Sequence, residues 1–257
     1  MLPAMKIVSW NVNSIKARLD HVLRYLKEAQ ADVLMIQELK GLEFPADAFK
    51  EAGYESHAVT QKSYNGVALI SRHPITIIKE ELPGDKSDEQ ARYIEADING
   101  VRCINIYLPN GNPKPGEKFD YKLAWMERLY ARLKHLQTNA VPFLIGGDFN
   151  VIPEEKDCYD PKAWIDDALF APQSRSAFRA LLNLGLYDAF RACDTRAGQY
   201  TFWDYQAGAW QRDHGIRIDH FLLSPIIADR LTSCSINRTP RGWDKPSDHT
   251  PIELEIR

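Results

Sequence analysis

Several stretches of this sequence end an apolar run with side chains that carry oxygen ligands or protons. Asn11 and Asn13 follow residues 6–10, Glu38 follows 33–36, and Tyr107 closes 101–107. Asp148 and Asn150 follow Leu144-Ile145-Gly146-Gly147, Asp219 sits inside 216–223, and Ser247-Asp248-His249 precedes 252–256. Any one of these reads as a turn, because Asp and Asn favour the ends of strands. Together they say more: strands lying side by side would bring all these ends to one edge. Such a group of carboxylates and amides would repel itself without a cation. With few histidines it suits Mg²⁺ or Mn²⁺ and not Zn²⁺. A hard cation polarises a phosphoryl oxygen, and an acid-paired histidine adds a proton carrier. These are the parts needed to hydrolyse a phosphodiester.

The elements that must position these residues are short. Apolar runs at 6–10, 33–36, 67–70, 93–98, 101–107, 142–145, 216–223 and 252–256 have the form of buried strands. Asn99-Gly100 between two of them is a type I′ hairpin signal. Helical patterns occupy 14–29, 119–137 and 174–184. In the second, Leu123, Met126, Leu129, Tyr130 and Leu133 recur at helical spacing and face a core. The stretches 109–116 and 150–172 read as loops and not as linkers, and there is no internal repeat. Hairpins mixed with helix-separated strands predict an α/β fold with mixed sheets, one domain over residues 1–257.

Bulk composition narrows the class without choosing a substrate. The chain has 257 residues, 44% hydrophobic and 26% charged, which is ordinary for a globular protein. No run approaches the ~20 apolar residues of a membrane span, so no membrane partner is expected. The first residues lack an apolar signal segment, which predicts a cytoplasmic protein. Cys103, Cys158, Cys193 and Cys234 form no CxxC pair, so neither a zinc ribbon nor a disulfide framework is expected. The net charge of −3 counts mildly against a nucleic-acid binder but leaves room for a local basic rim around an acidic site.

Seven motifs in order carry a family likeness: Ser9-Trp10-Asn11-Val12-Asn13, Ile36-Gln37-Glu38, Tyr107-Leu108-Pro109-Asn110-Gly111, Gly146-Gly147-Asp148-Phe149-Asn150, Thr201-Phe202-Trp203-Asp204-Tyr205, Arg217-Ile218-Asp219 and Ser247-Asp248-His249. They span nearly the whole chain. The sequence resembles the exonuclease III type of abasic-site endonuclease, in the endonuclease/exonuclease/phosphatase superfamily. The resemblance implies a four-layer α/β sandwich, two mixed β-sheets packed face to face and flanked by helices. It implies that Glu38 is the main metal ligand, helped by Asn11, with Asp148, Asn150, Asp248 and His249 also in the metal set. Asp148 would orient and deprotonate the attacking water, and Asn150 would hydrogen-bond the transition state. Tyr107 would contact the phosphate or supply the nucleophile, and Asp219 would fix the imidazole of His249. The activating residue stays open between Asp148, Tyr107 and His249, and the metal count between one and two.

The metal core names a reaction, whereas the substrate must come from other residues. The resemblance makes Phe202 and Trp203, with Ile216 and Ile218, the wall of a small pocket for a sugar that has lost its base. Arg92 and Lys114 are candidate phosphate contacts, with Lys118 and Lys122 behind them. Arg238, Arg241 and Lys245 flank Trp243, a further DNA-binding candidate. The expected partner is double-stranded DNA with abasic sites or 3′ ends, bound by a monomer. Asn13 stands where some family members carry an Asp. Two other readings compete: a phosphatase of a lipid or sugar phosphate, and a catalytically silent nucleic-acid-binding regulator.

Overall fold

The structure is a computed structural model and describes residues 4–257; residues 1–3 of the stretch read above for a signal lie outside the described residues. Its strands assemble into two six-stranded sheets. The first has the order β11 (Leu231–Ile236), β12 (Ile252–Ile256), β1 (Met5–Asn11), β2 (Val33–Gln37), β4 (Val67–Ser71), β3 (Glu55–Val59). The second runs β5 (Ile75–Lys79), β6 (Tyr93–Ile98), β7 (Val101–Tyr107), β8 (Phe143–Asp148), β10 (Asp219–Leu223), β9 (Tyr187–Asp188). Both sheets are mixed: β1 and β2 pair in parallel, as do β7 and β8, and the remaining pairs are antiparallel.

Alternate residues of each central strand serve different layers, because successive side chains point to opposite faces. Ile7, Met35 and Leu69 of the first sheet share one buried cluster with Ile94, Cys103, Leu144 and Phe221 of the second. On the outer face of the first sheet, Val8, Trp10, Leu34 and Ile36 pack with residues of α1 (Ile15–Ala29) and α2 (Ala46–Glu51). On the outer face of the second, Ile104, Ile106, Phe143 and Ile145 pack with α3 (Glu117–Thr138) and α4 (Pro172–Leu182). The order is helix, sheet, sheet, helix, which is the expected four-layer α/β sandwich. Each large apolar side chain so buried contributes about 1.5–3 kcal/mol. Met126, Leu129 and Leu133 of α3 are buried as expected, and Ser14 caps α1 by accepting from Ala17 N.

Two local predictions meet different outcomes. Asn99 and Gly100 both have positive φ (52° and 82°), which suits the predicted type I′ turn. The strand expected over 216–223 begins only at Asp219. Ile216 leaves the ladder and instead forms isolated bridges with Phe202 and Cys158. The apolar run was read as one strand, but its first residues belong to a loop that builds the site.

Candidate active site

Strand direction decides which ends meet. The parallel pairs send the carboxyl ends of β1, β2, β7 and β8 to one edge, carrying Asn11, Glu38, Tyr107 and Asp148. β10 and β12 run the other way, so their beginnings arrive at the same edge: Asp219 is the register partner of Asp148, and His249 lies just before β12. Gly147 makes the close approach workable. Its φ is +146°, and a Cβ there would come 2.0 Å from the Ile106 carbonyl oxygen.

The side chains form one connected group. Asn11 Nδ2 donates to Glu38 Oε1 and to Asp148 Oδ2, both at 2.9 Å. Both partners are acceptors, so the amide must turn its NH₂ toward them, while its Oδ1 takes the Asn13 N–H at 3.0 Å. Asn11, expected as a metal ligand, here acts as a donor that holds two carboxylates together. His249 Nδ1 donates to Asp219 Oδ2 at 2.9 Å, and its Nε2 stands 3.7 Å from Asp148 Oδ2. Ligand atoms of Glu38, Asp148 and His249 lie within 4.8 Å of one another, close enough to hold a metal ion. Two carboxylates at this spacing, largely buried, are the donor set of a hard divalent cation. That the group draws positive charge is visible in Lys40, whose Nζ sits 2.7 Å from Glu38 Oε2.

Burial and neighbouring charge set the protonation pattern. Burial pushes the Asp148 carboxyl up; His249 opposes the rise, and Asp219 and Glu38 add to it. Burial would lower His249, but the carboxylates of Asp219 and Asp148 outweigh it and raise the imidazole. Burial likewise opposes ionisation of Glu38, and the Lys40 ammonium overcomes it, leaving Glu38 lowered. Tyr107 is pushed well above its ordinary value by burial and by the negative charge of Glu38 and Asp148. These surroundings favour the phenol form, whose O–H is a donor.

Other expected site residues surround the group. Asn150 N donates to Asp148 Oδ1 at 2.9 Å, but its side chain is engaged with the Leu108 carbonyl and with Asn110 Nδ2. Asp248 accepts from Asn13 Nδ2 at 3.0 Å and stands outside the three-residue metal group. Arg92 lies beside the site: its guanidinium covers the Tyr107 ring at 4.8 Å and donates to the Tyr107 carbonyl at 3.1 Å. Phe202 is half-buried, its ring 4.9 Å from that of His249. Lys114 is half-buried and donates to the Ile165 carbonyl at 3.2 Å.

Several DNA-contact expectations need correction. Trp203 is fully buried and its Nε1 donates to Asp213, so its ring has no surface to offer. Ile216 and Ile218 are buried as well, in a cluster on which Trp164 and Phe202 pack. Trp243 packs against Trp10 and His21 under the guanidinium of Arg24 at 4.2 Å, on the α1 side of the first sheet. Lys122 is not a surface cation: fully buried, its Nζ donates to the carbonyls of Pro109, Asn110 and Asn150 at 3.0, 3.2 and 2.7 Å. It ties together the two loops that carry Tyr107 and Asp148. The signal for this was present, since Lys122 falls on the same helical face as Met126, Leu129 and Leu133. Arg241 is buried too and donates to the Trp203 carbonyl.

Lys40 was not foreseen, nor was the network behind the site. Arg217, inside the Arg217-Ile218-Asp219 motif, is buried between Asp157 and Asp188, and Arg191 joins it at Asp157.

A family model described as the Endonuclease/Exonuclease/phosphatase family matches residues 8–249. The chain belongs to this family. It is 34% identical over 257 residues to an exodeoxyribonuclease of Bacillus subtilis, covering 98% of this chain and 99% of that one. The fold is similar to that of the 3′ phosphatase NExo from Neisseria, solved with a product DNA hairpin (TM-score 0.96, 38% identity, 98% and 99% of the two chains covered). It is also similar to an AP endonuclease from Archaeoglobus fulgidus (TM-score 0.92, 36% identity, 98% and 99% covered). Membership of the endonuclease/exonuclease/phosphatase family and these likenesses indicate a hydrolytic nuclease. Among the described residues, no helix is long and apolar enough to cross a membrane.

Proposed function

We propose that this nuclease is a DNA-repair phosphodiesterase. It hydrolyses the phosphodiester on the 5′ side of an abasic site in duplex DNA and clears nucleotides and blocking groups from 3′ ends, with Mg²⁺ or Mn²⁺. The observation that carries the reading is the connected group Glu38–Asn11–Asp148 with the Asp219–His249 pair beside it. Glu38, with Asp148 in reach, would hold the cation. Bound there, it would polarise a phosphoryl oxygen and offset the charge that develops during displacement. Asp148, held by Asn11 and the Asn150 N–H, orients the attacking water and accepts its proton. Asp219 keeps the His249 Nδ1 proton in place, so Nε2 faces the reacting phosphate as a donor. Tyr107, kept protonated, and Arg92 beside it supply further donors to phosphate oxygens.

The chain acts as one domain and as a monomer, and its free cysteines suit a reducing cytoplasm. A second reading, processing of 3′ ends alone, is favoured by the burial of Ile216 and Ile218 beneath Trp164 and Phe202, where a bare sugar was expected to enter. One gel experiment separates the two: a labelled duplex with a single abasic-site analogue, and the same duplex with a recessed undamaged 3′ end, each with Mg²⁺ or EDTA. A metal-dependent cut 5′ of the lesion supports the first reading. Shortening of 3′ ends alone supports the second, and two intact duplexes would remove both.

A further inference from the structure

We infer that the cleft walled by Tyr159, Trp164 and Phe202 receives the base of an unpaired 3′-terminal nucleotide. The inference rests on the nuclease reading above and adds a base-binding subsite to it. The cleft is a cavity of about 280 Å³. Phe202 forms one wall, and the other side of that residue is the site, with its ring 4.9 Å from that of His249. An occupant of the cleft is therefore one residue away from the Asp148–His249 pair, the reach of a nucleotide whose 5′ phosphate is being attacked.

The walls are those of a stacking platform. Tyr159 and His214 lie flat on each other, 4.4 Å between ring centroids and 3° between planes, which makes a stiff two-ring wall. Trp164 is half-buried and packs on the cluster of Ile216 and Ile218, which fixes it as a wall of the cleft. Asp204 and Gln206 line the same cavity and place polar groups at the edge of the stack. Aromatic faces with a few polar groups hold bases without regard to sequence, since every base has a π-face. A terminal base that has lost its pairing leaves the helix at least cost. The burial of Ile216 and Ile218 fits this picture, because the space beside Phe202 opens toward the aromatic cleft and not toward the isoleucines.

The test uses duplex DNA with an unpaired 3′-terminal 2-aminopurine, whose fluorescence is quenched by stacking, in EDTA so that nothing is cut. Anisotropy of a label at the far end reports binding separately. The wild-type chain should bind and quench the probe, whereas Trp164→Ala and Tyr159→Ala should bind while losing most of the quench. Trp164→Phe should keep it, which shows that the loop still folds. With Mg²⁺, Trp164→Ala should raise KM by about tenfold for a base-bearing 3′ end and leave an abasic 3′ end unchanged. Binding without quenching in the wild type, or quenching as strong as the wild type's in both alanine variants, would overturn the cleft assignment. Absence of any DNA binding would instead remove the nuclease reading, and the cleft with it.

Discussion

Asn11, at the end of β1 in one sheet, donates its side-chain amide to Asp148, at the end of β8 in the other, at 2.9 Å. The bond crosses the interface between the sheets at the point where the chemistry is done. A neutral donor is needed there, because Glu38 shares the same amide. Asn11→Asp should therefore be far worse than a loss of one hydrogen bond: it sets a third carboxylate against two others. Turnover should fall by about 10²–10³-fold, and the melting temperature in EDTA should drop. Steady-state cleavage and thermal denaturation with and without Mg²⁺ check this, and Mg²⁺ should recover part of the lost stability.

The Asp219–His249 pair gives a second expectation. In Asp219→Asn the partner oxygen can be replaced by an amide NH₂, and the imidazole loses its fixed tautomer. Single-turnover cleavage should slow by about 10²–10⁴-fold, with DNA affinity in EDTA within about twofold of wild type, since most of the affinity comes from the many phosphate contacts outside the pair.

Lys122 should matter for stability more than for binding. Its ammonium satisfies three loop carbonyls in a site closed to water. Lys122→Met keeps the length and removes every donor, which should destabilise the chain by about 3 kcal/mol. Urea denaturation monitored by tryptophan fluorescence measures the loss directly.

Acid should weaken the fold through His220. The ring is fully buried, accepts from Arg217 Nη1 at Nδ1 and donates from Nε2 to the Val151 carbonyl, both at 3.0 Å. Burial, then the Arg217 charge, pushes its pKa down to about 4 from 6.5. The unfolded chain takes up this proton below about pH 6.5, whereas the folded chain refuses it until about pH 4. Stability is therefore full above pH 6.5 and falls as the pH drops toward 4, by about 1.4 kcal/mol per unit. Unfolding free energies from urea titrations at pH 7.5 and 5 should differ by about 2 kcal/mol from this group. In His220→Gln the difference should shrink by that amount.

Most central strands were legible because they are largely buried on both faces: β1, β2, β4, β6, β7 and β8 fall within a few residues of expectation, and so does β12, whose glutamates alternate with buried apolar residues. The edge strands β3, β5 and β11 were missed, since half-exposed strands such as Glu55–Val59 carry polar residues on their open side. In the site, the oxygen-bearing strand ends were legible as a class, and strand direction gathers Asn11, Glu38, Asp148, Asp219 and His249. What sequence could not give was the partner of each side chain. The family resemblance put Asn150 and Asp248 in the metal set; in the structure Asn110 and Leu108 engage the side chain of one and Asn13 that of the other. Lys40 reached Glu38 only because Glu38 and Lys40 both take positive φ (57°), a backbone turn that nothing in their residue types announces.

The most direct test of the account is single-turnover cleavage of duplex DNA by the wild-type chain and by Glu38→Gln, across a Mg²⁺ titration, with affinity measured in parallel in EDTA. If Glu38, Asp148 and His249 form the cleaving centre, Glu38→Gln should lose about 10²–10³-fold in rate, need more Mg²⁺, and still bind DNA. Equal rates and equal Mg²⁺ dependence for the two chains would contradict it and place the chemistry elsewhere.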